Sequence, residues 1–238
     1  MAQNLHIKAH LLTPIAVTDD YSPSLESLLI WLWLDRRGLA SPNATNETLI
    51  AAEIPLEKSY YGDRWIYKCS SPFYYFQGEN RSRFRRRWEP NDGRISWGKR
   101  KAKFDTSQGK EKAYDLPLYY KTIAVINWCC VGELQSIESM VNRCRNLGKK
   151  RSYGFGQVSH WEVAEIDEDW HVSRDGKLMR PIPLEIFAEH YSGLETDGRV
   201  LKWGYNHPYW LQENQDYCAM PNINQKIAPP IKVKINAS

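Results

Sequence analysis

The chain has 238 residues, ten tryptophans and fourteen tyrosines, 42% hydrophobic residues and a formal net charge of +4. This length and composition are typical of a folded protein with a sizeable core and exclude a chain that is disordered throughout. The longest apolar run, residues 28–34, spans seven residues, whereas a membrane helix needs roughly 20. Because the N-terminus also has no leader pattern, we expect a cytoplasmic protein without membrane contact.

The N-terminal part predicts a strand followed by a helix. Residues 5–17 alternate loosely between apolar and polar and end in a Thr-Asp-Asp turn, which is typical of a strand. Ser22 can cap the next helix with Pro23 at its first position, and Gly38 can end it. The stretch between them is apolar on nearly every side, so either other elements of the chain or a partner subunit must surround this helix.

Extended structure and a strongly basic segment follow. Residues 54–76 are rich in aromatic and β-branched side chains around a Gly-Asp break and predict a hairpin-like structure. Residues 81–112 contain twelve basic residues and four acidic ones, a local net charge of +8 with aromatic residues interleaved. Because this segment cannot build a core, we expect a projecting loop or hairpin that binds a polyanion, single-stranded nucleic acid first.

The next segments complete an order of strands and helices. Residues 118–131 predict a buried central strand, residues 133–147 an amphipathic helix that ends at Gly148, and residues 158–166 a further strand. The order strand, helix, strand, insertion, strand, helix, strand is that of a ferredoxin-like (RRM-like) α+β fold.

This order predicts the domain organisation. We expect a ferredoxin-like domain over residues 1–166, with a basic thumb hairpin inserted at about residues 78–117. Residues 167–238 form a C-terminal extension packed on this body, with a hairpin turn at residues 174–177.

A second basic cluster leads into a turn rich in glycine. Residues 143–151 hold five cations and no acid, so two separated stretches carry all of the excess positive charge. In residues 152–158, glycines alternate with aromatic residues, and the G-x-x-x-x-G-K-[ST] phosphate loop is absent. Glycine lets backbone N–H groups approach phosphates and a ring can stack on a base, while a plain β-bulge at the strand entrance is the alternative.

Two stretches of the chain carry a resemblance to a known group of proteins. The sequence GKKRSYGFGQV at residues 148–158, between a helix and a strand, resembles the glycine-rich loop of the RAMP superfamily, the RNA-binding proteins of CRISPR systems. The sequences LLTPI at residues 11–15 and SLESLL at residues 24–29 are similar to the opening of the Cas-five-type subunit of type IV effector complexes. The resemblance covers residues 5–165 in order of elements.

The resemblance implies a non-catalytic subunit that holds the 5′ handle of the CRISPR RNA on its body, while a thumb inserts near the first guide bases. It implies a cytoplasmic antiviral and plasmid-targeting ribonucleoprotein whose repeating backbone subunit and large subunit are partners. It extends to a contribution to reading the DNA that flanks the target. No catalytic residue, cofactor or metal is expected.

The predicted RNA-binding set combines the basic insertion with the glycine-rich turn. Cations neutralise phosphates, the glycines allow close approach of the backbone, and the rings stack or pack. The set comprises Arg81, Arg83, Arg85, Arg86, Arg87, Trp88, Lys99, Arg100 and Lys101 on the insertion, and Lys149, Lys150, Arg151, Ser152, Tyr153, Gly154, Phe155 and Gly156 on the turn.

Two other functions stay open. One is a metal-independent endoribonuclease that processes repeat RNA by general acid–base catalysis of 2′-OH attack. Its candidate residues are His6, His10, Tyr21, Tyr60 and Tyr61. The other is a basic protein-interaction scaffold whose arginines meet only acidic protein surfaces.

Metal and redox chemistry are not indicated by the spacing of the remaining residues. No partner at metal-ligand spacing accompanies His160, His171, His190 or His207, which argues against a zinc or iron site. The five cysteines show no C-x-x-C spacing and predict reduced core residues.

Overall fold

The structure, a computed structural model, describes residues 2–17, 19–39, 45–50, 52–86, 107 and 112–226. Its elements in chain order are β1 (Gln3–Leu11), β2 (Ile15–Ala16), α1 (Leu25–Arg36), α2 (Asn46–Ile50), β3 (Lys58–Tyr61), β4 (Arg64–Tyr67), β5 (Tyr75–Arg86), β6 (Tyr114–Ile123), β7 (Val125–Gly132), α3 (Leu134–Val141), β8 (Val158–Glu165), β9 (Ser173–Arg174), β10 (Lys177–Leu178), β11 (Ile182–Pro183), α4 (Leu184–His190), β12 (Val200–Gly204), β13 (Gln215–Ala219) and β14 (Gln225–Lys226). The fold is mixed α/β and rich in strands. Within the described ranges, no helix has the length and apolar character needed to span a membrane.

The centre of the molecule is a three-stranded antiparallel sheet in the order β7-β1-β8. Along β1, Leu5, Ile7 and Ala9 are fully buried and alternate with polar residues. One face of the sheet is therefore packed and the other is open. Apolar side chains of α1 and α3 join the three β1 residues in one hydrophobic core, so both helices cover the packed face.

An irregular segment extends this sheet beyond β7. Isolated antiparallel bridges join Cys69 to Cys130 and Phe73 to Asn127. The N–H groups of Phe73 and Asn127 each donate to the other residue's carbonyl, at 2.9 and 3.0 Å. The chain before β5 thus occupies the position of a fourth strand at the β7 edge.

Helix α1 is surrounded by other elements of the same chain. This is the first of the two predicted alternatives, the second being a partner subunit. Leu25, Leu29 and Leu32 are at most 1% exposed in the main core. The helix begins at Leu25, later than predicted. Ser24, in extended conformation, is the N-cap, and Pro23 lies before it, its carbonyl accepting a hydrogen bond from the indole N–H of Trp128 on β7.

Two long predicted strands, over residues 5–17 and 118–131, are interrupted. The predicted strand over residues 5–17 breaks between β1 and β2, where the Pro14 carbonyl accepts the N–H of Gly156 at 2.8 Å. The predicted strand over residues 118–131 divides at Ala124 into β6 and β7, which belong to different sheets. The Ala124 carbonyl accepts the N–H of Leu11 at 2.8 Å, so the chain changes sheets where it meets the end of β1.

Helix α3 is shorter than the predicted helix over residues 133–147, because it ends at Val141. Cys144 and Leu147 are still buried, but from an irregular segment. The N–H of Leu147 donates to the Gly156 carbonyl at 2.8 Å instead of continuing the helical ladder. The buried positions were predicted correctly, while their helical conformation was not.

Strands β5 and β6 form a long antiparallel hairpin, which we call the basic hairpin. Pairing runs from Phe76 with Ile123 to Arg86 with Tyr114. Short strands β2 and β14 flank it, giving a four-stranded sheet in the order β14-β5-β6-β2. The paired residues include the two ends of the predicted insertion at residues 78–117, whose central residues 87–106 and 108–111 lie outside the described residues.

The C-terminal extension contains a second hydrophobic cluster. It includes Leu178, Ile182 and Cys218, but also Tyr21 and Ile66 from the first part of the chain. Strands β11, β13 and β12 form its small antiparallel sheet. The predicted turn at residues 174–177 is confirmed, since it joins β9 to β10 through two residues of positive φ.

A buried ion pair ties this extension to α1. Arg180 and Glu26 are each 5% exposed at the side chain, with Nη2 3.5 Å from Oε1. The Arg180 guanidinium also donates to the Cys69 and Tyr205 carbonyls at 2.8 and 3.1 Å. The Cys69 thiol donates to Glu26, and burial together with this carboxylate holds the pKa of Cys69 well above its ordinary value.

All five cysteines are buried and free, as the sequence predicted. Burial raises the pKa of Cys129 and of Cys218 to about 12. Thiols with such pKa values are protonated at neutral pH and are poor nucleophiles.

Candidate nucleic-acid interface

One face of the basic hairpin carries a row of arginines. Arg81, Arg83 and Arg85 alternate along β5, so they project from the same face, and all three are exposed. The Asp115 carboxylate lies 3.1 Å from Arg83 Nε and 3.2 Å from Arg85 Nε. The Arg81 guanidinium lies 5.2 Å from the centroid of the Tyr119 ring. One carboxylate shared by two guanidinium groups leaves the row net positive, as binding to phosphates requires.

The opposite face of the hairpin carries aromatic rings and contacts residues 148–157, which we call the glycine-rich loop. The Phe84 ring stacks on Tyr114 at a centroid distance of 5.4 Å. It also meets the Tyr153 ring of the glycine-rich loop edge to face at 4.6 Å. Lys150 Nζ lies 3.9 Å from the centroid of Phe84, within cation–π range. The two basic segments of the sequence therefore meet at Phe84.

Further contacts join the glycine-rich loop to the sheet of the basic hairpin. The rings of Tyr120 and Phe155 lie 5.4 Å apart. The Lys149 N–H donates to the Ala16 carbonyl at 2.8 Å, and Ala16 pairs with Tyr120 between β2 and β6. The loop thus contacts the sheet of the basic hairpin at three positions, Phe84, Tyr120 and Ala16, and forms a continuous surface with it.

The glycines of this loop differ in their roles. A Cβ atom at Gly156 would lie 2.0 Å from the Leu147 carbonyl oxygen. The backbone N–H of Gly156 already donates to the Pro14 carbonyl. The close approach at Gly156 is therefore to the protein's own backbone. Gly154 has a φ of +84°, and a Cβ atom there would meet nothing within 4 Å. The Gly154 N–H donates within the loop, to the Arg151 carbonyl at 3.0 Å, so at this glycine only the space beside the Cα is open.

The side chains of the loop present cations around an exposed ring. Lys149, Arg151, Ser152 and Tyr153 are exposed, with Tyr153 at 61%. The Arg151 guanidinium lies 5.0 Å from the centroid of the Trp31 ring on α1. This arrangement offers phosphate neutralisation beside a surface for base stacking.

The predicted set does not line a single groove. Phe84, Lys150 and Tyr153 meet on one face of the hairpin, whereas Arg81 and Arg83 project from the other. The reason is the two-residue period of a strand, which sends neighbouring side chains to opposite faces. Arg86 is half-buried and in register with Tyr114. The predicted residues Arg87, Trp88, Lys99, Arg100 and Lys101 lie outside the described residues.

The five candidate residues for RNA cleavage are not brought into one cleft. His6 lies on the open sheet face, 3.1 Å from the Asn127 side chain, and burial lowers the pKa of His6. The Tyr21 hydroxyl contacts the C-terminal extension, and burial first, then the Asp197 carboxylate, raises the Tyr21 pKa above its ordinary value.

The tyrosines of β3 lie elsewhere. Tyr61 shares a hydrogen bond with the Tyr191 hydroxyl, and Tyr60 is exposed. The candidate His10 lies beside His160 on the open sheet face.

The pairing of His10 with His160 could not be predicted from their spacing in the sequence. They lie far apart in the sequence, but β1 and β8 are antiparallel neighbours and place His10 opposite His160. Glu162, which follows on the same face of β8, lies beside both rings. The ferredoxin-like order predicted that these strands are adjacent, and the register of the pairing was the missing information.

Comparison with known proteins identifies the family. The family model described as CRISPR type IV associated protein Csf3 matches residues 3–221. The chain belongs to the Csf3 family. The match includes the basic hairpin, the glycine-rich loop and the C-terminal extension up to Pro221, so Csf3 membership covers the body and the extension alike. No curated protein matched the chain.

Proposed function

We propose that this Csf3-family protein is a non-catalytic, cytoplasmic RNA-binding subunit of a type IV CRISPR effector ribonucleoprotein, and that it caps the 5′ handle of the CRISPR RNA. The observation that carries the proposal is the contact of Phe84 with Tyr153 and Lys150. This contact brings the two basic stretches together at the ring face of the hairpin, while Arg81, Arg83 and Arg85 project from the opposite face. A surface with both cations and exposed rings suits a flexible ribose-phosphate strand better than a protein partner.

The strand order supports a ferredoxin-like RAMP body of the Cas-five type. In the ferredoxin-like order β-α-β-β-α-β, the fourth strand, first strand, third strand and second strand are neighbours. Here β8, β1 and β7 follow one another, and the irregular segment around Cys69 and Phe73 lies at the β7 edge. Helices α1 and α3 follow β1 and β7 in sequence, as this fold requires.

The two faces of the basic hairpin suggest two roles. The ring face, with Lys150 and Tyr153, would hold the 5′ handle, since it is continuous with the glycine-rich loop. The arginine face, with Arg81, Arg83 and Arg85, would follow the first guide bases or the DNA that flanks the target.

Neighbouring subunits need apolar contact surface. Val200 and Tyr217 are exposed on the same face of the adjacent strands β12 and β13. We assign this patch of the C-terminal extension to contact with the repeating backbone subunit or the large subunit, because aromatic and aliphatic residues dominate the centres of protein interfaces.

Fluorescence anisotropy with a labelled repeat-derived RNA tests the RNA-binding proposal. Replacing both Lys150 and Arg151 with alanine should weaken binding about tenfold, since an exposed ion pair is worth up to about 1 kcal/mol. The matched control replaces Lys177 and Lys202 of the C-terminal extension, removes the same charge and should leave affinity unchanged. Equal losses in both variants would contradict a dedicated surface.

The scaffold alternative is tested on the purified protein. If the arginines meet only acidic protein surfaces, material prepared without nuclease contains no RNA and has the absorbance ratio of protein alone. We expect copurifying RNA instead, removed by high salt because phosphate contacts release counterions.

A further inference from the structure

Two histidines and a glutamate converge on the open face of the central sheet, away from the ring face of the basic hairpin. The rings of His10 and His160 stack at a centroid distance of 4.0 Å and an interplanar angle of 10°. Glu162 Oε1 lies 2.9 Å from His10 Nε2 and 3.6 Å from His160 Nε2. One ligand atom from each of the three residues lies within 4.8 Å of the others.

The pairing of β1 with β8 explains why these residues meet. His10 is directly opposite His160, and Glu162 is opposite Lys8, so all four side chains share one face. The register shifts immediately afterwards, between His10 and Leu11. The cluster therefore lies at the end of the regular ladder, where the chain leaves the sheet for the glycine-rich loop.

We propose that His10, His160 and Glu162 bind a divalent transition-metal cation, with Zn²⁺ the best match. Two imidazoles and a carboxylate are a known zinc ligand set, and bonds of about 2.0–2.1 Å place tetrahedral ligand atoms roughly 3.3 Å apart. The observed separations of 2.9 and 3.6 Å bracket that value. His160 is 55% exposed at the side chain, and because its Nδ1 already hydrogen-bonds to the Ser159 hydroxyl at 3.0 Å, Nε2 is the nitrogen left for the cation.

Lys8 supports the carboxylate ligand from outside the cluster. Its ammonium donates to Glu162 Oε2 at 3.0 Å, leaving Oε1 directed at the histidines. A hydrogen-bonded ligand of fixed orientation is the usual partner of a metal.

The cation would cross-link the ends of β1 and β8. The next hydrogen bond along the chain runs from the Leu12 N–H to the Gln157 carbonyl at 2.8 Å, at the end of the glycine-rich loop. Three protein ligands also leave a fourth position for water or a phosphate oxygen. The site does not depend on the proposed RNA-binding role, because it uses different residues.

Titration of the tag-free full chain with Co²⁺, after treatment with a chelator and dialysis, tests the site. We expect one equivalent of Co²⁺ to give the strong visible absorption of a tetrahedral complex, and Zn²⁺ to displace it. His160→Ala and Glu162→Gln should each abolish this absorption. Lys8→Met should weaken binding by about 10- to 100-fold, as for other residues that orient a ligand.

The matched control is His6→Ala, which removes another histidine of the same sheet face that bonds to Asn127. It should leave the Co²⁺ absorption unchanged. Absence of the absorption in the unaltered protein, or its persistence in both His160→Ala and Glu162→Gln, would overturn the proposal and leave an ion pair stabilised by Lys8 as the explanation.

Discussion

The ring of Phe84 on the basic hairpin contacts the ring of Tyr153 in the glycine-rich loop edge to face, at a centroid distance of 4.6 Å. Phe84 belongs to the first of the two stretches that carry the excess positive charge, residues 81–112, and Tyr153 follows two residues after the second, residues 143–151. Their contact fixes the relative position of these stretches. An RNA strand bound to one stretch is therefore within reach of the other.

A double-mutant cycle measures this contact. Phe84→Ala and Tyr153→Ala should show a coupling of about 0.5–1.5 kcal/mol in urea denaturation, the usual worth of an aromatic pair beyond its buried area. The control pairs Tyr60→Ala with Tyr153→Ala, which should be additive within about 0.5 kcal/mol because Tyr60 is an exposed residue of β3. Additivity of the Phe84 and Tyr153 effects would mean that the contact does not stabilise the protein.

The buried ion pair between Glu26 and Arg180 should dominate the attachment of the C-terminal extension. Arg180→Met leaves the Glu26 carboxylate without its partner inside the protein, so the free energy of unfolding should fall by about 3–5 kcal/mol. Denaturant titration measures this loss. Asp115→Asn at the exposed pair with Arg83 is the control and should cost about 0–1 kcal/mol. Equal costs for the two substitutions would show that the buried pair is dispensable.

Acid should destabilise the protein through two half-buried histidines. Burial is the main cause that lowers the pKa of His207 and of His6 below 6.5. The unfolded chain therefore takes up protons at these residues before the folded chain does, and stability falls as the pH drops below about 6.5. Denaturation midpoints at pH 7.5 and 5.5 measure the loss, which His207→Phe should reduce. A midpoint that rises on acidification would contradict the prediction.

The protein should not cut RNA. We expect repeat RNA incubated with the protein and EDTA to remain intact, because the candidate residues for general acid–base catalysis are spread over separate regions. Gel analysis of the labelled RNA provides the test. A discrete product that disappears in His10→Ala would instead establish a metal-independent endoribonuclease.

The local features of the fold followed from the sequence, whereas the pairing of distant segments did not. The turn at Asp175 and Gly176 was predictable because two positive φ angles need such residues. The early end of α3 was not, because Cys144 and Leu147 keep helical spacing although the backbone of residues 145–147 pairs with residues 156–158. The spacing of apolar residues therefore predicts which side chains are buried. Whether their backbone is helical depends on hydrogen bonds to a segment that is distant in the sequence.

The candidate interface shows the same division. The charge clusters and the glycine-rich loop could be found from composition, but the contact of Phe84 with Lys150 depends on how the hairpin packs. Likewise, β1 and β8 could be predicted as neighbours. Only their register revealed that His10 faces His160.

The salt dependence of RNA affinity tests the central claim that the ring face of the hairpin and the glycine-rich loop form one RNA-binding surface. If the surface neutralises about six phosphates, log affinity should fall against log salt with a slope of about −4. Replacing Lys149, Lys150 and Arg151 with alanine should bring the slope to about −2, because each lost phosphate contact removes about 0.7. A slope near zero for the unaltered protein would contradict the account.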